Sequence, residues 1–282
     1  MGIRRFCFFY CLKELIFIIF FIFVASNLVY AFDLVYAFDK DVELNEERSE
    51  HFIIHYADKI DKKFVKDVID YAERYYSEIA DNLGLRYFDF WLWDKRAHIY
   101  IYANKSDYAK NTNQPEWSGG CADYSNKKIW TFPHAVGFFD SLLPHELAHI
   151  MFRELVGTKS KVPLWFEEGV VSYQEKSKRY AANVIVKEAL AKNQLLSLED
   201  LKSVDNPADL SRMTNERVVL FYMQSLSIVD FLLREYGQES FSILCRNLRD
   251  NVNLEKALDR TFFNIRSEKD LYNLWLDYIS HE

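Results

Sequence analysis

His145-Glu146-Leu147-Ala148-His149 lies in an apolar, helix-forming stretch, and the rest of the chain is best read outward from it. Residues four apart share one face of an α-helix, so both imidazoles can reach one metal ion. The Glu146 carboxylate then points at the open side of that ion, where a bound water sits. A catalytic metal of this kind takes three protein ligands and keeps a fourth position for water or substrate. Downstream, Gly157 is a natural helix terminator. A short basic loop, Thr158 to Lys161, leads to Val162-Pro163-Leu164-Trp165-Phe166-Glu167-Glu168-Gly169, where Pro163 suits the entry to a second helix. Two carboxylates, Glu167 and Glu168, stand at that helix start. Carboxylates there are also favoured by the positive end of the helix dipole, with no metal involved.

Glu168 follows His149 after 18 intervening residues and stands just before a Gly. This arrangement resembles the gluzincin metallopeptidases, in which H-E-x-x-H is completed by a distant Glu. The resemblance is closest to the peptidase MA-like families. Their second helix opens with W-x-x-E-G and continues into small or apolar residues and an aromatic, a pattern that Trp165-Phe166-Glu167-Glu168-Gly169-Val170-Val171-Ser172-Tyr173 fits. It implies an α+β, zincin-like fold with Zn²⁺ held by His145, His149 and Glu168, and Glu146 as general base. Glu167 is the rival third ligand; Glu168 is preferred because it precedes the Gly. In the resembling families an oxyanion donor is often a Tyr on a later helix in a Y-x-x-[GS] context. Leu220-Phe221-Tyr222-Met223-Gln224-Ser225 matches, so Tyr222 is the candidate; with 18 Tyr in the chain, packing is the ordinary role of any one.

The implied activity is hydrolysis of peptide bonds in a peptide or protein substrate by metal-activated water. The rival expectation is a catalytically silent, zinc-bearing peptide-binding or scaffold domain at the membrane, against which the intact Glu146 speaks. A structural zinc site fits poorly, because such sites are closed by four ligands and favour Cys. Aminopeptidases of the resembling branch carry G-x-M-E-N to grip the substrate amine. The corresponding Ser118-Gly119-Gly120-Cys121-Ala122 has no Glu, which leans toward endopeptidase action.

The 282 residues are 50% apolar and 17% aromatic with a net charge of −7, which describes a folded protein with ample sequence for a core. No basic block or aromatic–basic interleaving is present, so nucleic acid is not an expected partner. Residues 1–31 differ in kind. A basic leader with Arg4 and Arg5 precedes an uninterrupted apolar run of 11, Leu15 to Ala25, and Val29-Tyr30-Ala31 offers a cleavage site. This is a secretory signal by pattern, or an uncleaved membrane anchor with the catalytic domain outside the cytoplasm, periplasmic or extracellular. Leu28-Val29-Tyr30-Ala31-Phe32-Asp33 repeats at once as Leu34-Val35-Tyr36-Ala37-Phe38-Asp39 and offers a second cut after Ala37. The organisation read here is 1–31 signal or anchor, 32–49 linker and 50–282 catalytic domain. Cys121 and Cys245 lack zinc-site spacing; export permits a disulfide between them, and buried free thiols are the favoured reading.

Within that domain, Glu50 to Tyr56 and His98 to Tyr102 read as strands, and Lys62 to Asn82 as an amphipathic helix. Lys105 to Asn111 suits a short helix or turn. Ser118 to Phe132 is a hairpin pattern, with Gly119 to Asp123 expected to line a substrate cleft by strand pairing. His134, close before the metal helix, is left out of the ligand set. From Lys176 onward the chain reads as helices: 176–193, 215–236 stopped by Gly237, 239–250, 254–262 and 267–278.

Overall fold

The computed structural model describes residues 44–85, 91–114, 118–133, 135 and 137–281. Residues 1–31, read as a signal or anchor, and His134 lie outside the described residues. Five strands form one sheet: β1 (Leu44–Arg48), β2 (Phe52–Ala57), β3 (Ala97–Ile101), β4 (Gly120–Asp123) and β5 (Lys128–Thr131), in the order β1-β2-β3-β5-β4. The β2–β3 and β3–β5 pairs are parallel; the outer pairs are antiparallel. Alternation along β2 and β3 buries Phe52, Ile54 and Tyr56 beside Ala97, Ile99 and Ile101 on one face of the sheet.

Between the parallel β2 and β3 runs α1 (Lys62–Asn82), as a parallel pair demands a long crossover. Its Asp61 cap accepts from the Lys63 amide, and Val65, Val68, Ala72, Tyr75, Tyr76 and Ile79 form the buried stripe. A short α2 (Lys105–Thr112) precedes the β4–β5 hairpin. A π-helical turn, Phe138–Leu142, then leads into α3 (Leu143–Val156), with Pro144 in the first turn, where its missing N–H costs nothing, and Gly157 ending the helix at φ 87°.

The carboxy-terminal part is helical: α4 (Leu164–Ser172), α5 (Lys176–Ala191), α6 (Leu198–Lys202), α7 (Pro207–Leu210), α8 (Asn215–Arg249), α9 (Leu254–Thr261) and α10 (Glu268–His281). The architecture is therefore α+β, with the sheet first and the helices last. Gly237, at φ 77° and ψ 165°, breaks α8 into the two helices that the sequence anticipates on either side of it. The α8 helix is the spine of this half. It packs on α4, α5, α9 and α10, and Trp275 Nε1 donates to Ser227 Oγ at 2.9 Å. Among the described residues no helix is long and apolar enough to cross a membrane. Cys121 and Cys245 are buried free thiols.

One boundary needs correction. Leu44–Arg48 lies inside the segment read as a linker, yet it pairs along β2 as an edge strand. Its Leu-Asn-Glu-Glu-Arg sequence is mostly exposed and carries no apolar alternation, because an edge strand held only by backbone bonds can be charged along both faces.

The α4–α8 contact sets the position of α4 against α3. A Cβ built on Gly169 would collide with the Ser225 carbonyl and meet Val229 Cγ2 at 2.8 Å, so only glycine permits this approach. Gly169→Ala is expected to destabilise the protein by roughly 1–3 kcal/mol through overpacking against α8 backbone. Urea denaturation measures this; an unchanged midpoint would show that the two helices can part at no cost.

Candidate metal centre

The α3 helix presents His145 and His149 one turn apart, their rings edge to face with centroids 4.9 Å apart. Helix α4, entered through Pro163, brings Glu168 against both. Glu168 Oε2 lies 3.8 Å from His145 Nε2, and Glu168 Oε1 lies 3.8 Å from His149 Nε2. These separations are too long for hydrogen bonds. One donor atom from each of the three residues falls within 4.8 Å of the others, and the residues are only 1%, 3% and 1% exposed for His145, His149 and Glu168.

His145 Nε2, His149 Nε2 and Glu168 Oε2 are each buried without a hydrogen-bond partner. An orphaned buried polar atom costs about 1–3 kcal/mol, and three of them facing one another is the arrangement a cation relieves. Two imidazoles and a carboxylate are a donor set for a divalent transition metal, so these residues fit the group that the sequence implies.

The outward nitrogens explain why the inward ones are free. His145 Nδ1 lies 2.9 Å from Glu175 Oε1, and His149 Nδ1 lies 3.2 Å from Glu167 Oε1. A carboxylate only accepts, so each Nδ1 carries the proton and each Nε2 lone pair turns inward. Behind them stand two cations. Lys178 Nζ donates to Glu175 at 2.6 Å, and Ser141 Oγ, on the π-helical turn, donates to the same carboxylate. Arg153 grips Glu167 with Nε at 2.8 Å and also with Nη2, and gives Nη1 to the Ser160 carbonyl at 3.1 Å. Glu167, the rival ligand, is therefore occupied with His149 and Arg153 and is not part of the three-atom group.

Burial pushes the His145 imidazolium down to about 4, so the ring is neutral and its lone pair available. Burial opposes charge on His149 too, but the Glu167 hydrogen bond and the surrounding carboxylates outweigh it and raise its pKa. Glu175 and Glu167 are held below the usual carboxylate range despite burial, chiefly by Lys178 for the first and by His149 and Arg153 for the second. Burial lifts Glu168 to about 7, with Glu167 and Glu146 adding to it and the His149 imidazole opposing it.

Glu146 sits on the same face of α3, 3% exposed, and burial raises it to about 7. Tyr124, at the start of the β4–β5 turn, donates its hydroxyl to Glu146 Oε2 at 3.3 Å, and its ring stacks on His149 with centroids 4.7 Å apart and planes 18° apart. Burial, reinforced by these carboxylates, drives the Tyr124 phenol well above its ordinary value, so it remains a neutral donor. Tyr222 is on α8, 1% exposed, with its ring edge to face against Phe221. Among the described residues the hairpin strand β4 is an edge strand of the sheet, beside α3.

A family model of the peptidase MA superfamily matches residues 93–280, spanning β3, the hairpin, the metal centre and all of the carboxy-terminal helices. The chain belongs to the peptidase MA superfamily. Among curated proteins no relative matches the chain. Peptidases of this superfamily are typically metal-dependent, and the matched residues include the buried His145–His149–Glu168 group, which could hold a metal ion.

Within this superfamily member, sequence reasoning had no hold on Glu175 or Tyr124. Glu175 stands seven residues after Glu168, at the amino-terminal cap of α5, so the chain must turn before its carboxylate comes back to His145. The only signal was its spacing to Lys178, an i,i+3 pair that reads as ordinary helix surface.

Proton and metal compete for the same atoms. Glu168 near 7 and a raised His149 hold protons in the metal-free protein below neutrality, so metal affinity is expected to rise with pH through about 7 and metal uptake at pH 6 to release protons. Glu175→Gln and Glu167→Gln should each weaken binding by roughly 10–100-fold. Competition with a chromophoric chelator, followed across pH, measures both; affinities indifferent to pH and to either substitution would contradict this account of the outer layer.

Proposed function

We propose that this protein is a zinc-dependent peptidase that hydrolyses internal peptide bonds outside the cytoplasm. The observation that carries the reading is the convergence of three unpartnered buried donor atoms with Glu146, which stands on the same helix one residue after His145 and three before His149. His145, His149 and Glu168 would hold the zinc, a choice of metal that suits two imidazoles, one carboxylate and an open fourth position. Zinc bound there supplies Lewis acidity, which acidifies a water and polarises the scissile carbonyl.

The chain's own residues account for the remaining chemistry. Glu146 takes a proton as the water oxygen bonds to the carbonyl carbon, and delivers it to the amine as the C–N bond breaks. A carboxylate lifted toward neutrality by burial suits both halves of that exchange. Glu175 and Glu167 keep the two imidazoles in the ligating tautomer. We assign the oxyanion donor to Tyr222, on its family context. An extended substrate would lie along the free edge of β4, adding a strand to the sheet. Gly120 to Asp123 offer it no carboxylate apart from Asp123, which is committed to the hairpin turn, and this supports an internal cut over capture of a free amine. Residues 1–31 would export the domain or anchor it with the active site outside.

The test is peptide cleavage by the purified protein in zinc, against a diverse peptide library read by mass spectrometry. Products should depend on zinc, fall inside the peptides and disappear with a chelator. Glu146→Gln should lose roughly 10²–10⁴-fold in turnover while keeping its metal. A folded, zinc-loaded protein that binds peptides and leaves them whole would instead establish the scaffold role.

A further inference from the structure

The β4–β5 turn is fixed at both ends. Asp123 Oδ1 accepts from the Ser125 and Asn126 amides at 3.0 and 3.1 Å, and Asp123 Oδ2 accepts from Asn126 Nδ2 at 2.7 Å. At the far end Lys127, in the left-handed region at φ 52°, reaches Glu154 on α3 at 3.3 Å. That carboxylate also accepts from the Trp91 indole, and the Lys127 ammonium lies 5.7 Å from the centre of the Trp91 ring. The hairpin tip is thus tied to the metal helix by a contact outside the metal centre, and the first residue of the turn is delivered to a set place on that helix.

That residue is Tyr124. Glu146 and His149 are three apart on α3, hence neighbours on one face, and Tyr124 touches both, the ring on one and the hydroxyl on the other. A Phe would serve the stacking alone. Tyr124 donates its hydroxyl to Glu146 Oε2. A buried glutamate without a partner would be free to sample its side-chain rotamers and would bear the cost of an unsatisfied carboxylate.

We infer that Tyr124 is a positioning residue with two separable parts: its hydroxyl holds the Glu146 carboxylate beside the face of α3 that carries the histidines, and its ring fixes the plane of the His149 imidazole. The first part rests on the peptidase reading; the second concerns metal binding and does not. The tyrosine comes from the hairpin expected to bind substrate, so the strand that would receive the peptide and the group that aims the base are one rigid piece.

Substitutions divide the two parts. Tyr124→Phe keeps the ring and should leave zinc affinity, read by chelator competition, within about twofold of wild type. It should lower kcat by roughly 10–100-fold with KM little changed, since it disturbs the base and not the ground-state contacts with substrate. Tyr124→Leu removes the ring as well and should weaken zinc binding by about 10-fold. In the metal-free protein, Tyr124→Phe should lower the unfolding midpoint in the wild-type background and have little effect beside Glu146→Met, where the carboxylate is gone. Wild-type kcat in Tyr124→Phe would overturn the hydroxyl's role, and unchanged zinc affinity in Tyr124→Leu would overturn the ring's. Strict additivity in the unfolding cycle would show that the hydrogen bond has no energetic weight. If the wild-type protein cleaves no peptide, the peptidase reading falls by itself, and zinc affinity and the unfolding cycle still decide the part played by Tyr124.

Discussion

Three donor atoms that face one another in the core with nothing to bond are an unfavourable arrangement, and much of this fold serves to hold it. Left alone, His145 Nε2, His149 Nε2 and Glu168 Oε2 would rotate toward any polar neighbour. They are prevented because each imidazole is engaged from behind, and because Glu168 is carried on a helix pressed into α8 at Gly169. The rigidity of the centre is therefore a property of three helices packed together and not of a flexible loop that closes on a metal. A site built this way is preorganised: the cost of gathering the ligands is borne in folding, and binding a metal recovers it.

The charges behind the centre follow one rule applied twice. His145 is backed by Glu175 and Glu175 by Lys178; His149 is backed by Glu167 and Glu167 by Arg153. A buried carboxylate without a cation would take up a proton and stop accepting from the imidazole, so each second carboxylate needs its own positive partner. Lys178 is itself almost fully buried, which is tolerable only in a hydrogen-bonded pair. Glu168 and Glu146 lack such partners, and both are raised to about 7. The pairing thus sorts four buried carboxylates into two kinds. Two are kept charged as props, and two are left responsive to whatever occupies the centre.

How much of this was legible in sequence depended on how local each signal was. The two histidines and Glu146 lie within one helical turn and a half, so spacing alone put them on one face. Glu168 was readable because a second helix start, a tryptophan and a glycine stood at fixed offsets from it. The carboxy-terminal helices and the break at Gly237 were readable because periodicity and a single glycine mark them. Neither Leu44–Arg48 nor the backing groups had such a mark. The strand is charged and exposed, so it looks like a linker until its partner β2 is known. Glu175 and Tyr124 reach the centre through a turn between helices and through a hairpin, and nothing in a one-dimensional pattern says where a turn will aim a side chain.

The choice between Glu167 and Glu168 rests on a glycine whose place in the structure is one of packing. The glycine after Glu168 was used as a marker of the ligand, and chemistry at the metal gives it no task. Its task is packing: the absence of a Cβ at position 169 lets α4 lie directly on the Ser225 carbonyl and Val229 of α8. Adjacent residues on a helix point about 100° apart, so fixing the glycine on the α8 side turns Glu168 toward the histidines' Nε2 atoms and leaves Glu167 near His149 Nδ1 and Arg153. The sequence pair Glu-Gly is then a statement about helix rotation. Any residue with a Cβ at 169 would have to lift α4 from α8 or roll it, and either movement would displace Glu168 before it altered the two histidines on α3.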